Sequence, residues 1–261
     1  MTLHKLIIAS DEETFKFAQE NYPDNFISRR IYLSCFFSLF SRKKGLPCFL
    51  SNDTALHHQD IENIKTVQNK NKIEKKDLSV VVLDAHTDMY RYDDPRILEL
   101  QGENNMTNWI LHMLDKGYDD ISILGVSDFT KSCPEKGSFE YHRMNERVHF
   151  FIGRDFDRQY DFKEDGFSQV ELRSLSDFMR KKLRKYSFIS LDSDVSDDFA
   201  GHPRYGGYRG KTRVSEIIDI ISYVGNNSHI IGFSLYGMYG DGFFSTFSER
   251  KDIVRKVLES L

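Results

Sequence analysis

Short apolar runs that end in polar clusters recur along this chain, with segments of helical period between them. Runs of about four to eight apolar residues bounded by turn residues read as strands, and continuous rather than alternating apolarity marks strands covered on both faces. Leu3 to Ala9, Cys48 to Thr54 with its polar end, Ser79 to Leu83, Ile121 to Val126, Val148 to Ile152, Ser187 to Asp192 and His229 to Tyr236 fit this description. Helices are predicted from Ser10 through Gln19, over 55–67, from about Asn104 to Lys116, over Leu172 to Arg184, over Thr212 to Tyr223, and from Ser248 to the last residue. Ser10 is expected to cap the first helix with Glu13 reaching back, and Gly117 to stand just past the end of the third. The stretch 31–40 is apolar nearly all round and fits a buried helix or a buried strand equally. Strands alternating with helices predict a three-layer α/β/α sandwich around a central parallel sheet. Neither a repeat nor a low-complexity linker divides the chain, so 1–261 is read as a single α/β domain.

Composition narrows the function classes. Hydrophobic residues make up 39% and charged residues 29% of the 261, with 36 Lys and Arg against 40 Asp and Glu. That balance carries no electrostatic footprint for nucleic acid. Arg42-Lys43-Lys44 and the basic patch from Arg180 to Lys185 read as solvated helix ends. There is no apolar run of membrane-spanning length and no long apolar leader segment, so neither a membrane span nor a signal peptide is expected. Cys35, Cys48 and Cys133 are widely spaced and lack a CxxC, which points to a reducing, cytoplasmic setting rather than a disulfide framework or a structural zinc. Homo-oligomerisation is left open.

Two strands change the picture. Val80-Val81-Val82-Leu83 runs straight into Asp84-Ala85-His86-Thr87-Asp88, which places Asp84, His86 and Asp88 at i, i+2 and i+4. They share one side if the strand continues, or sit on the loop at its carboxyl end, where open α/β sheets bind ligands. Ser187 to Leu191 repeats this logic by delivering Asp192 and Asp194. Two strands with convergent carboxylates can hold two cations, and oxygen-rich sites with a histidine suit Mn²⁺ and similar ions.

With these residues the chain resembles the arginase/agmatinase (ureohydrolase) superfamily, whose relatives include the histone-deacetylase-like amidohydrolases. Asp84-Ala85-His86-Thr87-Asp88 is similar to its DAHxD element and Ser190-Leu191-Asp192-Ser193-Asp194 to its SxDxD element. Gly210-Lys211-Thr212-Arg213-Val214-Ser215-Glu216 resembles its glycine-then-threonine entry to a helix, and the likeness runs from about residue 46 to the end. The resemblance implies that Asp84, His86, Asp88, Asp192 and Asp194 bind two Mn²⁺, with a bridging carboxylate drawn from Asp88 and Asp192. It further implies hydrolysis at a planar carbon, the paired cations acidifying bound water.

Three departures shape the expected substrate. Thr54 stands where the family's first motif has a metal-binding histidine, and His57 or His58, one turn on, could replace it. The guanidinium-binding Glu of the family would fall near Gly237, and Asp241 is the nearest carboxylate. The loop that grips a free amino acid in arginases is unrecognisable. Asn104-Asn105-Met106-Thr107-Asn108-Trp109-Ile110 resembles an Asn-Trp-Ile element of an arginase-like family that includes peptide arginases. That likeness implies a peptide arginine as substrate, converted to ornithine and urea, with Asn105, Asn108 and Trp109 as substrate-binding candidates. His202, on a Gly-rich loop, is a candidate proton carrier. Tyr239, on another such loop, is the feature that favours amide hydrolysis of the deacetylase type around one metal. Asp155 and Asp157 are read as structural. A degenerate, non-catalytic family member is the third reading.

Overall fold

The computed structural model describes residues 5–29, 45–51, 54–89, 108–126, 146–152, 172–196, 198–199, 210–237 and 248–261. Among these residues nine strands form one sheet in the order β2-β1-β3-β9-β8-β4-β5-β6-β7. They are β1 (Lys5–Ala9), β2 (Phe26–Arg29), β3 (Leu46–Leu50), β4 (Leu78–Leu83), β5 (Ile121–Val126), β6 (Val148–Ile152), β7 (Leu172–Ser174), β8 (Tyr186–Asp192) and β9 (His229–Tyr236). Every neighbouring pair is parallel. The helices are α1 (Glu12–Asn21), α2 (Asp60–Asn71), α3 (Trp109–Asp115), α4 (Leu175–Phe178), α5 (Val214–Asn227) and α6 (Ser248–Glu259). Among the described residues no helix is long and apolar enough to cross a membrane.

The two-residue period of each strand divides the core into two layers. Val80, Val82 and Phe188 face Ile61, Ile64 and Val67 of α2 and Trp109, Ile110 and Leu114 of α3. Val81, Leu83, Ile189 and Leu191 face Phe17 of α1, Phe178 of α4, Ile217, Ile221 and Val224 of α5, and Val257 of α6. The expected α/β/α sandwich is therefore present.

Chain order and sheet order part company where it matters. After β3 the chain skips two places to lay down β4, builds outward through β7, then returns to fill the gap with β8 and β9. The carboxyl ends of β3, β9, β8 and β4 thus lie side by side at a reversal of strand order, which is where parallel sheets open a binding crevice.

Three local expectations are corrected. Asp11, not Ser10, caps α1, accepting from the Thr14 N–H at 2.8 Å. The two residue types cap about equally well, and with Asp11 at the cap Thr14 can add its own hydroxyl to the same carboxyl group. Leu172 to Arg184 is not one helix. Leu172–Ser174 pairs with β6, and a single turn follows, held by Asp177 on the Ser174 N–H and hydroxyl. The open edge of β6 outweighed helical period there. β2 went unpredicted; it pairs in parallel with β1. The stretches 31–40, 90–107, 127–145 and 153–171 lie outside the described residues.

Cys48 lies fully buried in β3, and burial pushes its thiol up to about 12. A raised value keeps the thiol neutral at pH 8, and the thiolate is the reactive form. In a Cys35→Ser/Cys133→Ser background, no thiol-reagent signal is expected at pH 8 until denaturant unfolds the protein; rapid labelling of the native state would contradict this burial.

Candidate metal centre

Strand β4 ends at Leu83, and the next five residues carry the polar cluster. The Asp84 carboxyl splits between two directions: Oδ2 lies 3.5 Å from His57 Nδ1 and Oδ1 lies 3.6 Å from His86 Nδ1. Around His57 Nδ1 also stand Asp88 Oδ2 at 3.2 Å and Asp192 Oδ2 at 3.6 Å. His86 Nδ1 lies 2.8 Å from Asp194 Oδ2. Among the described residues there are therefore two donor groups, His57-Asp84-Asp88 and Asp84-His86-Asp194, each compact enough to hold one cation. They share Asp84. Asp84 sits at the strand end with one oxygen toward each imidazole.

The backbone fixes these side chains. The His86 N–H donates to Asp84 Oδ1 at 2.7 Å, the Ala85 N–H to Asp194 Oδ1 at 3.1 Å and the Asp194 N–H to Asp192 Oδ1 at 3.2 Å. Asp88 adopts φ +49°, a left-handed conformation uncommon outside glycine, and its carbonyl accepts from the Ile110 N–H. Gly210 packs so closely on Val195 that an added Cβ would fall 2.2 Å from the Val195 carbonyl oxygen, and its N–H donates to the Asp194 carbonyl. The glycine of the helix-entry motif thereby presses the loop beneath Asp194.

His57 reaches the centre. Residues Thr54–Gln59 form a 3₁₀ turn after β3, and this brings His57 inward with 1% side-chain exposure. Its Nε2 is paired with Ser190 Oγ at 2.7 Å. Its Nδ1 is buried, makes no hydrogen bond among the described residues and faces three carboxyl oxygens. A buried ring nitrogen left orphaned beside acids fits a cation position, since such groups otherwise find partners.

Electrostatics bear this out. Burial alone would lower the His57 imidazole, but Asp88, followed by Asp84 and Asp192, pushes it up to about 10. Burial and the neighbouring Asp194 carboxyl push Asp192 up to about 8, with His57 opposing. Burial, with Asp88 and Asp194, holds Asp84 well above the carboxylate range. For His86, burial lowers and Asp194 more than reverses it, giving a raised value. Burial would raise Asp194, yet the paired His86 brings it below the ordinary range. Acids crowded at this density are costly without a counter-charge, and divalent cations supply one.

Trp109 belongs to the core. It is fully buried, its indole N–H donates to Asp88 Oδ2 at 2.6 Å, and its ring lies 4.7 Å from that of His57. Asn108 is equally buried. The Trp109 indole steadies Asp88 from the core side. Asn105, His202, Tyr239 and Asp241 lie outside the described residues, as do Asp155 and Asp157.

No protein-family model matches the chain, and no curated protein matches its sequence. Solved structures do match. Formimidoylglutamase from Bacillus subtilis superposes with a TM-score of 0.62 at 17% identity, covering 99% of this chain and 85% of that one. The fold is that of the arginase/agmatinase ureohydrolases. Formiminoglutamase from Trypanosoma cruzi, solved with two Mn²⁺, gives 0.60 at 12% identity over 99% of this chain and 92% of its own. Arginase from Medicago truncatula gives 0.56 at 12% over 99% and 85%.

Sequence reasoning missed Ser190 as the partner of His57, although the SxDxD likeness includes it. It also missed Asp60 and Tyr236, which flank His57. Strand period could have found Ser190, two residues before Asp192; Asp60 and Tyr236 lie 176 positions apart and gave no local signal.

Proposed function

We propose that this arginase-like chain is a hydrolase of guanidino C–N bonds that works with two Mn²⁺, acting on an arginine residue within a peptide to give ornithine and urea. The observation that carries the reading is the pair of donor groups joined through Asp84. His57, Asp84, Asp88 and Asp192 would hold one cation, and Asp84, His86 and Asp194 the other. When bound, such a pair acidifies water and stabilises charge developing on the attacked carbon.

The chain's own residues prepare that chemistry. Ser190 fixes the His57 ring from behind, so that Nδ1 points into the acids. Trp109 holds one Asp88 oxygen from the core side. At the place expected for a guanidinium-binding Glu stands Gly237, whose carbonyl accepts from Ser193 Oγ at 2.6 Å. On our reading Asp241 takes over the guanidinium and His202 the proton of the leaving amine, with Tyr239 a further catalytic candidate and Asn105 a substrate-binding one. The missing amino-acid grip supports a substrate held by peptide backbone rather than free arginine.

The test incubates Mn²⁺-loaded protein with arginine-containing peptides, free arginine and acetyl-lysine peptides. Urea from the peptides alone is the expected result. Urea from free arginine overturns the peptide assignment, acetate release moves the reaction to the deacetylase type, and no product from any of the three contradicts the catalytic reading.

His57→Ala is expected to remove the cation on its side, while His58→Ala leaves the metal content of gel-filtered protein unchanged. Equal loss in both variants would show that the imidazole assignment is wrong.

A further inference from the structure

His57 reaches the centre from a turn rather than from the strand end, so something must hold that turn against the sheet. Asp60 stands three residues on, is fully buried and opens α2. Its Oδ2 accepts from Ser234 Oγ at 2.6 Å, and its Oδ1 accepts from Tyr236 OH at 2.7 Å and Asn63 Nδ2 at 3.0 Å. Asn63 Nδ2 also donates to Tyr236 OH at 3.1 Å. The Tyr236 ring, locked by this network, lies 5.0 Å from the His57 ring. Asp60 Oδ2 is 4.0 Å from His57 Nε2, outside hydrogen-bond reach, and the nearer partner there is Ser190. Asp60 belongs to neither cation group.

We propose that Asp60 is a positioning residue for His57: by tying the start of α2 to Ser234 and Tyr236 of β9, it fixes the imidazole and sets how tightly a cation is held on that side. The proposal rests on the reading of this cluster as a metal centre. The physical basis is the cost of the arrangement. A buried carboxyl group with three donors and a helix amino terminus is well satisfied, but deleting one oxygen leaves a buried hydroxyl without its acceptor. The turn and the Tyr236 ring then lose their common anchor, and His57 loses orientation. Residues that orient metal ligands without touching the metal commonly change its affinity by about 10- to 100-fold. The network joins only the His57 side; His86 is fixed through Asp84 and Asp194.

The experiment titrates Mn²⁺ into the metal-free full-length chain by calorimetry and follows thermal unfolding of the same samples. Asp60→Asn keeps the side-chain volume but replaces one acceptor with a donor. Tyr236→Phe removes only the hydroxyl and leaves the ring against His57. One binding step should weaken by about 10- to 100-fold in Asp60→Asn and by less in Tyr236→Phe, the other step staying at its wild-type value. Both steps unchanged in a folded variant would overturn the proposal, as would both weakened equally. If Asp60→Asn does not fold, Tyr236→Phe decides on the same criteria. Wild-type protein that binds no Mn²⁺ at all would instead overturn the metal reading, and this inference with it.

Discussion

Asp84→Asn is expected to strip both cation positions at once and to abolish hydrolysis. Its two oxygens lie 3.5 Å and 3.6 Å from His57 Nδ1 and His86 Nδ1, so it is the one carboxyl group common to both donor groups. Asparagine keeps the volume and one oxygen but places an amide NH₂ toward one of the imidazoles. Residues that merely orient metal ligands shift affinity by about 10- to 100-fold, so loss of a shared ligand should exceed about 100-fold. Asp88→Asn should affect the His57 side first, since Asp88 belongs to that group alone. Metal content after gel filtration and urea formation are the two readouts. An Asp84→Asn protein that keeps both cations and full turnover would refute the shared-carboxyl geometry.

Phe188→Ala should produce the largest loss of stability without touching a metal-binding side chain. Phe188 is fully buried at the centre of β8, with Phe49 tilted against it at 6.4 Å between ring centroids. Gly232 on β9 provides its notch: a Cβ there would meet the Phe188 ring at 2.7 Å. Truncation at such a site leaves a cavity that the rigid sheet closes poorly, and costs about 3–5 kcal/mol. For a chain of this size that corresponds to a fall of roughly 10 °C in melting temperature. Denaturant titration and thermal melts check it, and a loss below about 1 kcal/mol would contradict tight packing between β8 and β9.

What could be read in advance follows from the range of the interactions involved. The strands β4, β5, β6, β8 and β9 announce themselves because burial on both faces forces continuous apolar runs such as Val80 to Leu83. Asp84, His86 and Asp88, like Asp192 and Asp194, are legible because each set is contiguous and follows such a run. Failures arise where a distant partner decides. Leu172–Ser174 became a strand because β6 offered an open edge, and periodicity over so few residues does not encode that edge. The sharing of Asp84 depends on β4 and β8 pairing Leu83 with Leu191, a register fixed by strands more than a hundred residues apart. Trp109 shows the same limit: likeness to an Asn-Trp-Ile element made it a substrate-binding candidate, and only the fold shows it buried on Asp88 and His57.

The central claim is that one chain holds two cations, one on each side of Asp84. Diffraction from Mn²⁺-soaked crystals, collected at the manganese absorption edge, tests it most directly. The account predicts two anomalous peaks per chain, one beside His57 Nδ1 among Asp84, Asp88 and Asp192, the other beside His86 Nδ1 with Asp84 and Asp194. A single peak, or none within coordinating distance of Asp84, would contradict it.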